Sequence, residues 1–422
     1  MKGRSITDAI ATFKCCGSLI QTFKFRNGNR NRVHNLSVDL SKAFDSISRS
    51  KLLKILEQNE FDHDVIEMVK VLLHDTTLQI SVNSTLGPEF QTNKGTPQGD
   101  GLSPILFIIY LAQVFNEVKK KFLVKYNIDL ETKEIYFVIY ADDIDILCMD
   151  GDILDKVKIC IDKVFVKWDL ILNESKTKRF TFMRTDKSND KETNNNDWKI
   201  AEKLGSKLDD DAHLNDRLRK ASTYIINDFN GFLMQNQLPR WKDRLFVYNR
   251  YILPQLTHGL ELLALTENQR IKLDSKNRAH LRKHVLKAKW HAKDNFSIIK
   301  NEKKLLYEAT RQQPLGLTIF ERKIKTFRKL LLLDPNTPVK RVMVEYFETL
   351  ENCKPGDQFR GKPKSNYLQS LRKDFKLIGI DLNTCLDMEN LKNIVAVKSQ
   401  WKDLYEKIIA KFKTLHYSYL EV

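Results

Sequence analysis

The sequence predicts an α+β fold, an antiparallel sheet with helices on one face, followed by a basic helical region. Three observations predict it. Strand and helix signals alternate with hairpins from about residue 35 to residue 180. The character changes near residue 185, where "TDKSNDKETNNND" runs for thirteen positions without an apolar residue. From 211 to about 345 the apolar period is helical throughout.

The elements follow in order. "HNLSVDL" sets Leu36, Val38 and Leu40 on one face and Asn35, Ser37 and Asp39 on the other, the period of a half-buried strand. "SRSKLLKILEQ" opens on serine caps, and "DHDVIEMVKVLLH" opens on acids suited to a helix N-terminus. "LQISVN" and "EFQTN" read as a hairpin around "STLGP". "SPILFIIYLAQVFNEVKKKF" is a long helix with Ser103 as N-cap and Pro104 at its first position. "EIYFVIYADDIDILCM" is two strands sharing an acidic turn, and "DILDKVKICIDKVFVKW" is an amphipathic helix behind them. A sheet of this kind leaves its second face open to a ligand.

Composition bounds the partner. The chain of 422 residues carries 71 Lys and Arg against 54 Asp and Glu, a formal charge of +17, with a pI near 9.4. Such a balance points to a polyanion, nucleic acid before membrane. Residues 281 to 330 hold fourteen Lys or Arg against four acids, interleaved with Trp290, Phe296, Tyr307, Phe320 and Phe327. That mixture reads as a nucleic-acid-binding helical region, with Lys283, Lys287, Lys289, Lys303 and Lys304 as candidate contacts. Six cysteines without CxxC spacing indicate neither a zinc module nor a disulfide framework, and a reducing compartment fits. No apolar run is long enough for a transmembrane helix, and the N-terminus lacks a signal-peptide core. The expectation is an intracellular protein of nucleus or cytoplasm, off the membrane.

The chemistry centres on "IYADDIDIL", where Asp142 and Asp143 adjoin among branched and aromatic neighbours. Two readings stand: a tight surface turn, or carboxylates holding Mg2+ against phosphate oxygens. Asp39 ends a strand about a hundred residues earlier and could be brought beside them. Three carboxylates on two ions roughly 3.5 to 4 Å apart would activate a 3′-hydroxyl and stabilise a leaving pyrophosphate. Between these acids lies "NKGTPQGDGLSPILF", in which Gly95, Gly99 and Gly101 admit close backbone approach and Gln98 offers an amide.

The ordered blocks "VDLSKAFDSI", "KGTPQGDGLSPILF", "YADD", "LILNESKTKRF" and "KLGSKL" resemble the reverse transcriptase of a non-LTR (LINE-type) retrotransposon. The likeness extends through "YILPQLTHGLELLALT" and covers roughly residues 1 to 330. It implies a right-hand polymerase: a residual fingers segment at 1–34, a palm at 35–210 with a flexible insertion at 185–197, and a basic thumb-like region at 211–345. Residues 346–422 would be a helical region of unread role. It implies Asp39, Asp142 and Asp143 as metal ligands for two Mg2+ ions, with Mn2+ as a substitute. Phe44 would be the aromatic gate against a ribose 2′-hydroxyl, with Ala43, Gln98 and Gly99 beside the incoming nucleotide. Lys176 matches the basic residue near the triphosphate, with Lys178 the alternate. Asp45, Asp100 and Asp145 read as supporting acids. The implied partners are an RNA template, a DNA primer or RNA–DNA duplex, and deoxynucleoside triphosphates.

The chain departs from the family at its start, where "MKGRSITDAI" resembles only the last piece of the fingers and the upstream basic residues are missing. The expectation is a fragment of a longer polyprotein or an impaired gene product. Two alternatives follow: a catalytically impaired RNA-binding or assembly protein, or an RNA-directed RNA polymerase, which Phe44 speaks against.

Overall fold

The computed structural model describes residues 5–24, 32–74, 76–97, 99, 101–130, 134–183, 197–229, 240–286, 303–354, 356–358 and 366–420. The expected insertion at 185–197 lies outside them except for Asp197, as do Gln98, Asp100, Trp290, Phe296, Lys287 and Lys289. The chain divides into two compact units, residues 27–182 and residues 1–26 with 183–422. The first helix, α1 (Ile6–Thr22), belongs to the second of these.

The unit of residues 27–182 is built on a four-stranded sheet. Its strands are β1 (Arg32–Val38), β7 (Ile135–Tyr140), β8 (Asp143–Cys148) and β10 (Lys178–Met183), in the order β10-β1-β8-β7. β8 runs antiparallel to both neighbours, with Val38 opposite Ile144 and Tyr140 opposite Asp143. Short pieces complete the unit: β2 (Leu40–Ser41) pairs with β9 (Ile171–Leu172), and β3 (Thr76–Leu78) with β6 (Phe90–Thr92). β4 (Ser81–Val82) pairs with β5 (Thr85–Leu86).

Helices α4 (Ser103–Tyr126) and α5 (Gly151–Lys167) cover one sheet face. Leu36, Val38, Ile144 and Ile146 pack there with Phe107, Val114 and Phe115 of α4 and Val157, Ile161 and Phe165 of α5. The period of two sends these strand residues to one side, and removing them from water is the main stabilising term. Asp150 caps α5 by accepting from the Asp152 and Ile153 amides. Helices α2 (Arg49–Gln58) and α3 (His63–Leu73) extend the same core through Leu52, Ile55, Val69 and Leu73.

Three local expectations shift. The N-cap of α4 is Leu102, so Ser103 is the first helical residue and Pro104 lies in the first turn, where its missing N–H is harmless. The ribbon of residues 76–92 turns at Asn83 and Ser84, both with positive φ, one residue earlier than "STLGP" suggested. Two positive φ angles match the twist of the paired strands, and Asn tolerates them. The second sheet face is buried along its middle, where Asn35 and Leu147 are fully covered and Asp145 is 6% exposed. Its polar groups meet one another: Asn35 Nδ2 donates to Asp145 Oδ1 at 2.9 Å.

The other unit is helical. The segment expected as residual fingers is here α1, buried from Ile10 to Thr22 and packed against the helices Pro338–Glu351 and Tyr367–Lys376. A helix apolar on most sides belongs in a core. Lys14, buried within it, donates to the Leu208 carbonyl and Asp210 Oδ1, each at 2.6 Å. α6 (Asp210–Asn227) starts where the sequence indicated, its Asp209 cap accepting from the Ala212 amide. His213 is wholly buried; its Nδ1 accepts from the Lys207 amide and its Nε2 faces the His258 carbonyl at 2.9 Å. Burial holds its pKa down to about 3, so the ring is neutral.

Of the aromatic residues interleaved with basic ones, the three described have a different use from that expected. Tyr307, Phe320 and Phe327 are buried, and Phe320 stacks on Phe412 at 3.6 Å. Phe320 and Phe327 stand seven apart on the helix Leu315–Leu331, two turns along one stripe, so they face the core and offer no ring for a base. Lys323 on the same helix is buried against Ser370 and Asp374. Among the described residues no helix is long and apolar enough to cross a membrane.

Candidate active site

The register of β1 and β8 sets the site. Val38 opposes Ile144, so Asp39 and Asp143 stand at the same end of the paired strands, one step beyond. β7 and β8 are joined by the two residues Ala141 and Asp142, with Ala141 at φ 52. A side chain in that region carries strain of about 1 kcal/mol or more, and such strain gathers at functional sites. Asp142 is thereby carried on the turn itself. Asp142 and Asp143 are exposed and Asp39 is partly exposed, so the acidic pair is neither buried nor part of the core around it.

Asp39 is held through its backbone. Its N–H donates to Thr177 Oγ1 at 3.3 Å and its carbonyl accepts from the Asn173 amide at 2.9 Å. The turn of residues 173–177 is closed by the Lys176 and Thr177 amides donating to the Asn173 carbonyl. This places Lys176 Nζ 3.9 Å from Asp39 Oδ2, both side chains open to water at 69% and 40% exposure. In so exposed a pair the attraction is worth less than about 1 kcal/mol. Its meaning is positional: a cation already sits beside a candidate metal ligand. Lys178 opens β10 and is exposed.

The glycine loop is tied to the turn after Asp39. The Thr96 amide donates to the Phe44 carbonyl at 3.1 Å and the Gly95 amide to the Ile47 carbonyl at 2.8 Å. Gly95 has φ 77, and a Cβ there would stand 2.8 Å from Asp45 Cα, so only glycine fits. Gly99 has φ 101 in open space, a conformation that favours glycine on backbone grounds alone. The Phe44 ring is half-buried and leans on Phe107, centroids 4.8 Å apart, while Ala43 beside it is buried. Asp45 is exposed, whereas Asp145 is buried in the sheet.

One residue was missed. Arg49, the first residue of α2, donates to the carbonyls of Leu73, Thr92, Lys94 and Gly95 and to Thr92 Oγ1, at 2.6 to 3.2 Å. It gathers the end of α3, the end of β6 and the glycine loop on one guanidinium, whose planar fork suits several acceptors at once. A signal was present in the sequence: a cation in a first helical turn opposes the helix dipole, and no acid accompanies it there.

Among the described residues no three His, Cys, Asp or Glu side chains form one metal-holding group. The donor chemistry nevertheless suits divalent ions, because the acids at this strand end offer only hard carboxylate oxygens, are open to solvent, and leave room for phosphate oxygens and water. Of the expected nucleic-acid contacts, Lys283 and Lys303 are exposed and Lys304 is half-buried, with Lys303 Nζ 5.4 Å from the Tyr419 ring.

Residues 2–210 match the family described as Reverse transcriptase (RNA-dependent DNA polymerase). That stretch of the chain is a reverse transcriptase domain. It is similar to a non-LTR retrotransposon protein: 142 residues are 30% identical to the retrovirus-related Pol polyprotein from type-1 retrotransposable element R2 of Popillia japonica. The match takes in 32% of this chain and 19% of that relative, so the chain spans about a fifth of the length of the relative it matches. Among solved structures it is similar to telomerase from Candida albicans in complex with a TWJ fragment of telomeric RNA, at 15% identity and TM-score 0.40, over 82% of this chain and 51% of that one. It is also similar to the corresponding telomerase complex from Candida tropicalis, at 14% identity and TM-score 0.36, over 80% and 51%.

Proposed function

We propose that this chain is an RNA-directed DNA polymerase that adds deoxynucleotides to a primer 3′-hydroxyl on an RNA template. The observation that carries the reading is the register of β1 and β8, which sets Asp39 and Asp143 at one strand end beside the Asp142 turn. Residues 35–210 would then be the palm, residues 211–345 the thumb, and residues 346–422 an added helical region.

Asp39, Asp142 and Asp143 would hold two Mg2+ ions, or Mn2+ in their place. When bound, such ions lower the pKa of the attacking hydroxyl and neutralise charge on the leaving pyrophosphate. The remaining work falls to the chain. Phe44, braced by Phe107, would be the ring that a ribose 2′-hydroxyl meets, and Ala43 would keep the wall beside it small. Gly99, and Gln98 next to it, would lie along the incoming nucleotide, with loop position fixed through Gly95 and Thr96. Lys176 supplies positive charge where pyrophosphate leaves, close enough to Asp39 to sense the same oxygens. Lys283, Lys287, Lys289, Lys303 and Lys304 would hold template and primer through phosphates, without reading sequence.

The test is extension of oligo(dT) on poly(rA) with labelled dTTP and Mg2+, comparing the chain with the Asp142→Asn, Asp143→Asn double variant. Extension by the parent alone supports the reading. Equal extension by both would place the chemistry elsewhere, and no extension by the parent with duplex binding retained would make the chain a binding protein.

A further inference from the structure

The helical unit encloses a cavity of about 130 Å3 among the helices Glu267–His280, Leu315–Leu331, Tyr367–Lys376 and Lys398–His416. Its inner wall is apolar. Leu263 and Ile319 are buried there, and the stacked rings of Phe320 and Phe412 close one side. Leu265 and Arg270 are half-buried and Lys373 is exposed, so these three mark the mouth. The candidate active site has no part in it, since those residues belong to the other unit.

Three cations and one acid line the cavity: Arg270, Lys323, Lys373 and Asp374. Lys323 is matched, because it is buried, donates to Ser370 and pairs with Asp374, which uses up the acid. Arg270 and Lys373 are left over, neither of them paired with a carboxylate among the described residues. Arg270 is nevertheless fixed in place. Its guanidinium lies 5.0 Å from the Phe412 ring centroid, and Nη2 stands 3.3 Å from the ring nitrogens of His416. Burial and that neighbouring charge hold His416 below the ordinary histidine value, so the ring is neutral and accepts one donor. Other N–H groups of the fork remain for a ligand. Asp274, one turn along from Arg270, is turned to the Gly316 amide and the Tyr417 hydroxyl and does not line the cavity.

We propose that this cavity is a binding site for a small phosphate monoester with a short apolar body. Two unmatched positive charges call for a dianion, which a phosphate monoester approaches at neutral pH and a carboxylate or phosphodiester does not. The Arg270 fork takes two phosphate oxygens side by side, and Lys373 adds a point charge. The apolar body lies against Leu265 and Ile319. Size agrees with this class. One water needs about 10 to 15 Å3 of such space, so the cavity has room for about ten waters, or for a ligand of about ten non-hydrogen atoms. A nucleic-acid strand exceeds that space and carries a single charge per phosphate. The inference does not depend on the polymerase reading.

The probe is phenyl phosphate, with about eleven non-hydrogen atoms, in calorimetric titration of the full chain at about pH 8 and about 0.1 M salt. Phenyl sulfate has the same shape and half the charge, and serves as its control. Phenyl phosphate should bind with a dissociation constant of about 1 mM or lower, at least about tenfold tighter than phenyl sulfate. Inorganic phosphate, which lacks the apolar body, should also bind about tenfold more weakly. Arg270→Gln and Lys373→Gln should each weaken the probe by about tenfold. Lys373 is exposed, so its variant keeps the parent's melting temperature, whatever the loss of Arg270 from the Phe412 ring does to stability. Lys407→Gln with Lys411→Gln, which removes two exposed cations outside the cavity, should leave binding unchanged. No binding by the parent at about 10 mM, equal binding of phosphate and sulfate, or unchanged binding in the Arg270 and Lys373 variants overturns the proposal. Weaker binding in the Lys407 and Lys411 variant would assign the effect to general surface charge and overturn it too. Displacement of the probe by an RNA oligonucleotide would give the cations to a nucleic-acid backbone, with the same result.

Discussion

Strands β1 and β8 carry acids in two settings on the same side of the sheet. At the strand end, Asp39, Asp142 and Asp143 are partly or fully exposed, and a lysine stands 3.9 Å from the first. Two residues further along β8, about 7 Å away, Asp145 is 6% exposed and accepts from Asn35. The alternation that aligns Asp143 with Asp145 gives them one direction but not one role. Burial separates them: a buried carboxylate must be satisfied by the protein, whereas an open one can be satisfied by an ion and a substrate.

If that separation holds, the open end governs catalysis and the covered middle governs stability. The largest effect is then expected from Asp142→Asn. It removes a metal-binding oxygen from an exposed turn and should lower primer extension by about a thousandfold or more, while an exposed substitution shifts stability by less than about 0.5 kcal/mol. Paired measurements of extension rate and melting temperature check it. A large fall in melting temperature would mean that the turn is structural and the comparison is misdrawn.

Phe44→Ala comes next. Loss of the ring opens a hole of the size a hydroxyl needs, and discrimination against ribonucleotides should fall by about 10- to 100-fold, the range that one pocket contact supports. Competing dTTP against UTP on poly(rA) reads it directly. Unchanged selectivity would leave the ring as packing for Phe107 and nothing more.

Arg49→Ala sharpens the comparison, because this residue touches both regimes. Its donors hold the glycine loop at Lys94 and Gly95, and also fasten α3 to the end of the ribbon at Leu73 and Thr92. Bonds from a charged donor are worth about 1.5 to 3 kcal/mol each before losses are shared, so a few kcal/mol of stability should go. The deoxynucleotide KM should rise severalfold at low temperature, where the variant is still folded. Arg49→Lys should recover stability in part but not KM, since an ammonium cannot span the same set of carbonyls. A stability loss with KM unchanged would confine Arg49 to the scaffold.

The same division explains what could be read from the sequence. The sheet, the strand pair around Asp142 and the start of α6 were legible because period and capping are local. Asp39 was legible as the end of a strand, but its place beside Asp143 was not, since the pairing of β1 with β8 spans about a hundred residues. Burial was not legible. Phe320 and Phe327 sit among lysines and looked like stacking platforms, yet their seven-residue spacing marks a core stripe. The packing of α1 with helices beyond residue 337 escaped for the same reason, as tertiary contact leaves no trace in local pattern.

The smallest effect tests the buried half of the comparison. Asp145→Leu leaves the Asn35 amide buried without its acceptor, and that asymmetry costs about 1 to 3 kcal/mol. Adding Asn35→Leu removes the stranded group as well, so the double variant should recover most of the loss, because two apolar neighbours of similar size can replace a buried polar pair. Chemical denaturation of the parent, the Asp145 variant and the double variant reads the difference as a coupling between the two sites. Extension per folded molecule should stay within about twofold throughout, since neither side chain lies at the strand end. If Asp145→Leu left stability intact but removed extension, Asp145 would belong with the open acids, and burial would no longer be what sorts them.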